Sequence, residues 1–266
     1  MSASLSKAEV KKLVLEEIEN YRREGIRFAI AGNAGYGKTS TLNVLFDVEM
    51  KTDPTQTATH EVHEISMLIQ NVKGIEVSNT QIHDVNLTVF DLPGLGAGDN
   101  KNQVAEEYFQ IYTKLLPQVD VVLWVLRADV RAFELEITYL SRLLKIAPAL
   151  RSRIIVGVNF IDSIAPQDWD RMINNPSEEQ LSNLENFMLR VDELIHKQCD
   201  LSTNITVPYS AKYAWGLETL FHRLVDATPV GKKWVFADLK PDYREAFLKR
   251  VHPKFREQVA KEYSPV

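Results

Sequence analysis

Short apolar runs alternate with amphipathic stretches along most of this chain. The apolar runs predict strands over residues 26–31, 61–70, 82–90, 119–126, 153–159 and 204–208. The stretches between them predict helices over residues 39–47, 102–116, 131–146, 179–199 and 215–227. This alternation of strand and helix is typical of an α/β protein.

Two of the apolar runs, 121–125 and 154–158, contain almost no polar residue. Strands that are buried on both faces have this composition, so we expect a mostly parallel sheet that helices cover on both sides. Residues 61–70 and 82–90 are separated by a turn near Lys73 and Gly74, which predicts an antiparallel hairpin. The expected fold has three layers, and its mostly parallel six-stranded sheet contains one antiparallel strand.

The pattern divides the chain into parts. Residues 1–25 contain an amphipathic helix over 3–24 that ends at Gly25. This helix either packs on the main domain or faces a partner or a membrane, although its mixed lysines and glutamates argue against an anionic membrane. Residues 26–228 form the main domain, in which we expect the loop 160–178 to be a surface insertion.

The C-terminal extension, residues 229–266, differs from the rest in charge. Residues 231–266 hold nine Lys or Arg and five Asp or Glu, a difference of +4, whereas the whole chain has a net charge of −5. Short helices are predicted over 242–251 and 254–263. The extension either packs on the domain or presents a basic surface to RNA, the ribosome or anionic lipid.

Composition narrows the classes of function. The 266 residues are 45% hydrophobic and 25% charged, and the net charge of −5 is not that of a nucleic-acid-binding protein. The single cysteine, Cys199, excludes a disulfide framework and fits a reducing cytosol. No apolar run approaches the ~20 residues of a membrane-spanning helix, and the N-terminus lacks the apolar core of a signal peptide. We therefore expect a cytoplasmic protein.

Residues 32–39 read Gly-Asn-Ala-Gly-Tyr-Gly-Lys-Thr, a full match to the phosphate-binding loop pattern G-x-x-x-x-G-K-[S/T]. The motif lies between a predicted strand and a predicted helix, where backbone N–H groups and the helix N-terminus can bind phosphate. Lys38 can reach the β- and γ-phosphates of a nucleotide, and the Thr39 hydroxyl can bind Mg²⁺. The residues expected to bind the nucleotide here are Asn33, Ala34, Gly35, Tyr36, Gly37, Lys38, Thr39 and Ser40.

Two later stretches predict further contacts with the metal and the γ-phosphate. Asp91 and Gly94 belong to Asp-Leu-Pro-Gly at the end of a predicted strand. The Asp91 carboxylate can hold a Mg²⁺-bound water, and the Gly94 N–H can bond the γ-phosphate until hydrolysis removes it. Residues 51–60 form a threonine-rich loop, in which one threonine should bind Mg²⁺ and the γ-phosphate. We favour Thr57 over Thr59 for this role.

Base selection is predicted by two motifs that follow apolar strands. Asp162, in Asn159-Phe160-Ile161-Asp162, can accept two hydrogen bonds from the N1–H and amino groups of guanine, and adenine has neither donor. Asn159 would brace the base-binding loop. In the second motif, Ser210-Ala211-Lys212, the Ala211 N–H can meet guanine O6. These residues favour GTP over ATP as the ligand.

In this order, GNAGYGKT, the threonine loop, DLPG, NFID and SAK resemble the five guanine-nucleotide motifs of translation-factor-related GTPases. The resemblance covers about residues 26–227, and it is greatest to the Era/TrmE-like branch, which includes bacterial proteins with ribosome-binding GTPase domains. Residues 123–129, followed by 131–133, are also similar to that bacterial group.

The resemblance implies a Ras-like fold and a molecular switch that binds Mg²⁺–GTP and slowly hydrolyses it to GDP and phosphate. Carried over to this chain, it gives Lys38, Thr57 and Gly94 catalytic roles. It makes Thr39, Thr57 and Asp91 the metal-binding set. It also places Asn159, Phe160, Asp162, Ser210, Ala211 and Lys212 around the base.

Three departures from the family pattern change these expectations. Phe160 replaces the lysine of the usual Asn-Lys-x-Asp motif, whose stem covers the purine, although an aromatic ring can also stack there. Leu95 follows Gly94 where Ras-like proteins carry a glutamine that orients the attacking water. Gly35 lies where the potassium-dependent relatives carry asparagine, so potassium activation is not expected.

Three functions follow. The first is a GTPase that is slow until a partner or dimerisation through the nucleotide face activates it, with Arg127 or Arg131 as candidates for a charge-stabilising arginine if they are not simply solvated. The second is a GTP-dependent binding module for the ribosome, RNA or a membrane, with negligible turnover. The third and least favoured is an ATPase.

Overall fold

The computed structural model gives the fold of the chain around a single sheet. It describes residues 9, 12, 25–46, 63–70, 84–95, 101–130, 133–202, 205–237 and 242–262. Glu9 and Lys12 are helical, and the rest of the helix predicted over 3–24 lies outside the described residues. The predicted turn near Lys73, the threonine loop 51–60 and Arg131 also lie outside them.

Within the described residues, six strands form one sheet in the order β2-β3-β1-β4-β5-β6. The strands are β1 (Ile26–Gly32), β2 (His63–Gln70), β3 (Asp84–Asp91), β4 (Val121–Arg127), β5 (Ile154–Asn159) and β6 (Thr206–Pro208). β2 runs antiparallel to β3, and every other neighbouring pair is parallel. The predicted α/β fold with a mostly parallel sheet is therefore confirmed.

Helices cover both faces of this sheet. The helices of the described residues are α1 (Lys38–Phe46), α2 (Lys101–Leu115), α3 (Glu134–Ile146), α4 (Glu178–Cys199), α5 (Leu217–Ala227), α6 (Val230–Ala237), α7 (Tyr243–Leu248) and α8 (Arg256–Glu262), which packs on α7. In the part of the chain that the structure describes, none of them combines the length and apolar composition that crossing a membrane requires.

Alternate residues of each central strand enter two separate cores. Trp124 packs in the core beneath α2, α3 and α4, whereas its neighbours Leu123 and Val125 pack beneath α1 and α5. Each residue of β5 is buried as well. Burial on both faces explains why these strands lack the polar alternation of a half-exposed sheet.

The C-terminal extension, of which the structure describes residues 229–237 and 242–262, packs against the rest of the fold. Phe236 of α6 is fully buried, with its ring centroid 5.2 Å from that of Phe221 and 6.4 Å from that of Phe28. The Tyr243 hydroxyl of α7 donates to the Leu45 carbonyl at 2.5 Å. Basic side chains nevertheless remain exposed on this segment, among them Lys249, Lys254, Arg256 and Lys261.

We predict that Phe236→Ala lowers the free energy of unfolding by about 3–5 kcal/mol, because it leaves a cavity among aromatic rings. Urea denaturation followed by circular dichroism measures the change. Val230→Ala on the same helix is the control, because Val230 is 84% exposed, and a change within about 0.5 kcal/mol is expected for it. Equal, small losses for the two variants would contradict this packing.

The expectation of a surface insertion over 160–178 is wrong for part of that segment. Trp169 and Asn174 are buried. The Trp169 ring stacks on Tyr213 at 4.7 Å and 12°, and Asn174 Nδ2 donates to the Tyr213 carbonyl at 2.9 Å. The segment therefore supports the loop after β6, and a tertiary contact of this kind leaves no local signal in the sequence.

Candidate nucleotide-binding site

The predicted motifs meet at the carboxyl-terminal edge of the sheet. The phosphate loop follows β1, Asp91 ends β3, Asn159 ends β5, and Ser210 lies just after β6. In open α/β sheets this edge is where ligands bind. The structure thus brings together the predicted site residues that it describes, and Thr57 lies outside the described residues.

The phosphate loop wraps around the Lys38 ammonium. Lys38 is 7% exposed, and its Nζ donates to the Gly32 and Asn33 carbonyls at 3.3 and 3.1 Å. Burial lowers the pKa of Lys38, and the negative charge of Asp91 works in the opposite direction. The positive charge is therefore held at the centre of the loop, where it can contact a bound polyphosphate.

Two glycines allow the loop to approach other motifs closely. Gly37 has a φ of +76°, and a Cβ there would lie 2.6 Å from Asn159 Nδ2. A Cβ on Gly94 would lie 2.2 Å from the Ala34 nitrogen. Gly94 therefore lies directly against the phosphate loop. A backbone N–H at this place is near enough to the loop to contact a terminal phosphate bound there.

Two of the three residues expected to bind Mg²⁺, Thr39 and Asp91, lie together, and Thr57 lies outside the described residues. Thr39 Oγ1 donates to Asp91 Oδ2 at 3.0 Å, and Asp91 is 5% exposed. Mg²⁺ prefers oxygen ligands and usually keeps several of its waters. Thr39 could therefore bind the ion directly while Asp91 holds one of its waters, so the chemistry of these two groups fits that ion.

The base side of the site is a cleft of about 330 Å³. This volume lies within the range of small-molecule sites. The Asp162 side chain is 5% exposed, and its carboxylate accepts a hydrogen bond from Ser210 Oγ at 2.7 Å and lies 3.7 Å from Lys212 Nζ. The lining residues are Gly37, Ser40, Asn43, Val44, Asn159, Phe160, Asp162, Ala211 and Lys212.

Asn159 connects the phosphate side of the site to the base side. Its Nδ2 donates to the Tyr36 carbonyl at 3.2 Å, and its Oδ1 accepts from the Ala211 N–H at 3.1 Å. This is the bracing contact that the sequence predicts for Asn159. The Ala211 N–H, which was predicted to meet guanine O6, donates to Asn159 in this structure. To bind guanine, it would have to donate to both oxygens at once or break its bond to Asn159.

The structure also reveals residues that the sequence analysis missed. Glu136 of α3 is buried, and its Oε1 accepts from Asn33 Nδ2 at 2.5 Å and from the Tyr36 hydroxyl at 2.6 Å. Burial and this hydrogen bond raise the pKa of Tyr36 above its usual range. Glu136 thus fixes two side chains of the phosphate loop from about 100 residues away in sequence.

Two further contacts act on the loops of the site. The Tyr112 hydroxyl donates to the Pro93 carbonyl at 2.7 Å and accepts from the Gly32 N–H at 3.4 Å, so it ties the Asp-Leu-Pro-Gly motif to the phosphate loop. Arg250 Nε, from the C-terminal extension, donates to the Lys212 carbonyl at 2.9 Å. A lone tyrosine or arginine carries no sequence signal for such a role.

Comparison with known proteins agrees with this geometry. A model of the 50S ribosome-binding GTPase family matches residues 27–159, half of the chain. The chain belongs to this family of P-loop GTPases. Membership places this GTPase among the guanine-nucleotide-binding proteins that hydrolyse GTP, and it confirms the family predicted from the motifs.

This GTPase is similar to two uncharacterized proteins of Escherichia coli strain K12. It is 23% identical to YkfA over 258 residues, which cover 95% of this chain and 76% of YkfA. It is 22% identical to YfjP over 220 residues, which cover 83% of this chain and 68% of YfjP. Both similarities extend well beyond the part that the family model matches.

Solved structures share the fold of this GTPase. Era in complex with MgGDPNP and 16S ribosomal RNA aligns with a TM-score of 0.50 and 21% identity, over 77% of this chain and 57% of that one. A structure of the chloroplast translocon components atToc33 and psToc159, whose dimerization is described as important for GTPase activity, aligns with a TM-score of 0.51 and 15% identity, over 83% of this chain and 90% of that one.

Proposed function

We propose that this protein is a Mg²⁺-dependent GTPase of the cytoplasm that acts as a switch, with slow hydrolysis that self-association or a partner accelerates. One observation carries the proposal: the same edge of the sheet holds a buried lysine inside a phosphate loop and a carboxylate beside a nucleoside-sized cleft. The first suits a polyphosphate, and the second suits the N1–H and amino groups of guanine.

In the proposed reaction, water attacks the γ-phosphorus in line, the bond to the β–γ bridging oxygen breaks, and GDP and phosphate leave. Lys38 and the loop N–H groups stabilise the negative charge on the oxygens of the transferred group. Gly94 lies against Ala34 of the phosphate loop, and its N–H would orient the γ-phosphate. Thr39 and Thr57 would bind Mg²⁺, and Asp91 would hold one of its waters; when bound, the ion neutralises phosphate charge.

Leu95 is the reason for proposing slow turnover. Its side chain is 2% exposed and packs in the same core as Leu92 and Phe90. It has no group that could orient water by hydrogen bonding, which is what glutamine does at this place in Ras-like proteins. A second molecule that supplies a group to orient the attacking water would accelerate hydrolysis. The chloroplast GTPases of similar fold, whose dimerization is described as important for activity, support a second copy of this chain as that molecule.

Leu95 also favours one alternative, a GTP-dependent binding module with negligible turnover. Such a protein would act by presenting a binding surface to a partner in its GTP-bound state, not by forming a product. The exposed basic side chains of α8 and the residues just before it are the surface that we propose for RNA, the ribosome or anionic lipid. The similarity of fold to RNA-bound Era supports the first two of these partners.

Phosphate release, measured at increasing protein concentration, tests the enzymatic proposal. We expect a turnover on the order of 10⁻³ per second in dilute solution, with the rate per molecule rising as the protein is concentrated. Lys38→Ala serves as the blank for contaminating phosphatases. GTP binding without phosphate release at any concentration would instead leave the binding module as the function of the isolated protein.

A further inference from the structure

The replacement of the motif lysine by Phe160 leaves a chemical question at the base side of the site. A lysine there offers an apolar stem that covers the purine and a positive charge at its end. Phe160 offers a ring without charge. The ring lines the cleft in which the base would lie, so it can cover the purine as the lysine stem does. A positive charge at this place has to come from another residue.

Arg127, the last residue of β4, lies against this ring. Its guanidinium carbon is 4.1 Å from the centroid of Phe160, well inside the distance at which a cation is attracted to an aromatic face. Arg127 is not among the residues that line the cleft. A residue more than 30 positions earlier in the sequence therefore places a positive charge against the ring of Phe160.

The same guanidinium reaches the phosphate loop. Arg127 Nη1 donates to the Gly35 carbonyl at 3.0 Å, while Nε and Nη2 donate to the two carboxylate oxygens of Asp129 at 2.5 and 2.8 Å. The bidentate pair with Asp129 fixes the plane of the guanidinium. Arg127 is thus committed to three groups of its own chain, which argues against its use as a free charge-stabilising arginine.

Phe160 needs this support because of its backbone. Its φ is +63°, in the left-handed region that a bulky residue rarely adopts. An edge carbon of the ring, Cε2, lies 3.2 Å from where a Cβ on Gly37 would be. The ring therefore contacts the phosphate loop as well as Arg127, and its position depends on both.

We propose that Phe160 and Arg127 together replace the lysine of the guanine-recognition motif: the ring covers the purine, and the guanidinium supplies the charge and connects the ring to the phosphate loop at Gly35. This inference rests on the proposed guanine-nucleotide binding. It makes Arg127 a positioning residue, which acts on the nucleotide through Phe160 and Gly35 and does not touch the reacting atoms.

Calorimetry of GDP binding and stopped-flow dissociation of a fluorescent GDP analogue test this role. Arg127→Ala should weaken GDP binding about tenfold, mostly through faster dissociation. Arg127→Lys should fall between, because it keeps the charge but loses the planar fork. Arg142→Ala is the matched control. Arg142 of α3 also forms a bidentate pair, with Glu106 of α2, and its guanidinium carbon lies 4.3 Å from the centroid of the Phe109 ring.

A double-mutant cycle separates positioning from mere structural support. In Phe160→Lys the motif lysine is restored, so adding Arg127→Ala should cost no more than about twofold in affinity. The same tenfold loss in both backgrounds would show that Arg127 acts independently of the ring, and it would overturn the proposal. If Phe160→Lys does not fold, the two single variants decide. The proposal is then overturned if Arg127→Ala loses no more GDP affinity than Arg142→Ala does. Failure of the unmodified protein to bind GDP would contradict the proposed function itself.

Discussion

Replacing Asp162 with asparagine should change the base preference of the site from guanine to xanthine. The carboxylate accepts from the N1–H and amino groups of guanine in the proposed complex, and each such charged hydrogen bond contributes about 1.5–3 kcal/mol. An asparagine still accepts from N1–H, but its NH₂ group faces the guanine amino group. Xanthine carries a carbonyl oxygen at that position, which the NH₂ group can bond. We expect GDP affinity to fall about 100- to 1,000-fold and xanthosine diphosphate to bind more tightly than GDP.

Calorimetric titration of both nucleotides measures this change. The matched control is Asp226→Asn, the same chemical replacement at an exposed position of α5, which should leave both affinities unchanged. Asparagine can still accept a hydrogen bond from Ser210, so the loop after β6 should keep its place. A variant that binds GDP as tightly as the unmodified protein, or gains nothing for xanthosine diphosphate, would remove Asp162 from base recognition.

Replacing Lys38 with alanine should abolish tight binding of GTP. The ammonium is buried at the centre of the phosphate loop and held by two loop carbonyls. Its charge is desolvated there, so its contacts with phosphate are stronger than those of a surface lysine. We expect at least a 100-fold loss of GTP affinity, or about 2.7 kcal/mol, measured by calorimetry in the presence of Mg²⁺.

Lys145→Ala, at an exposed position near the end of α3, is the control for the loss of one positive charge. Thermal unfolding without nucleotide checks that both variants remain folded. If folded Lys38→Ala protein kept its affinity for GTP, the loop of residues 32–39 would not be the phosphate site.

The parts of the fold that sequence predicts are those with a strong local signal. β4 and β5 are continuous apolar runs, and the phosphate loop is a contiguous pattern, so each could be placed without knowledge of the rest. The motifs each follow a strand, so a parallel sheet brings their residues to one edge. The order of the strands was not predicted and is given by the structure. The helix α6 was not predicted, because eight residues after a proline carry little periodicity.

The contacts that shape the site were beyond sequence reasoning for another physical reason. Glu136 bonds the phosphate loop because α3 lies beside the loop that follows β1, and Arg127 contacts Phe160 because the ends of β4 and β5 pair side by side. Such partners lie tens of residues apart, and each has an ordinary local composition. Trp169 illustrates the same limit, since a tryptophan in a proline-containing loop gave no indication that it would stack on Tyr213.

The central claim is that one cleft recognises guanine at Asp162 while the phosphate loop holds the diphosphate. Competing calorimetric titrations of GDP and ADP into nucleotide-free protein with Mg²⁺ test it most directly. The account predicts one GDP per chain and ADP binding at least about 100-fold weaker, because adenine leaves the buried carboxylate without its two donors. Equal affinities, or tighter binding of ADP, would contradict it.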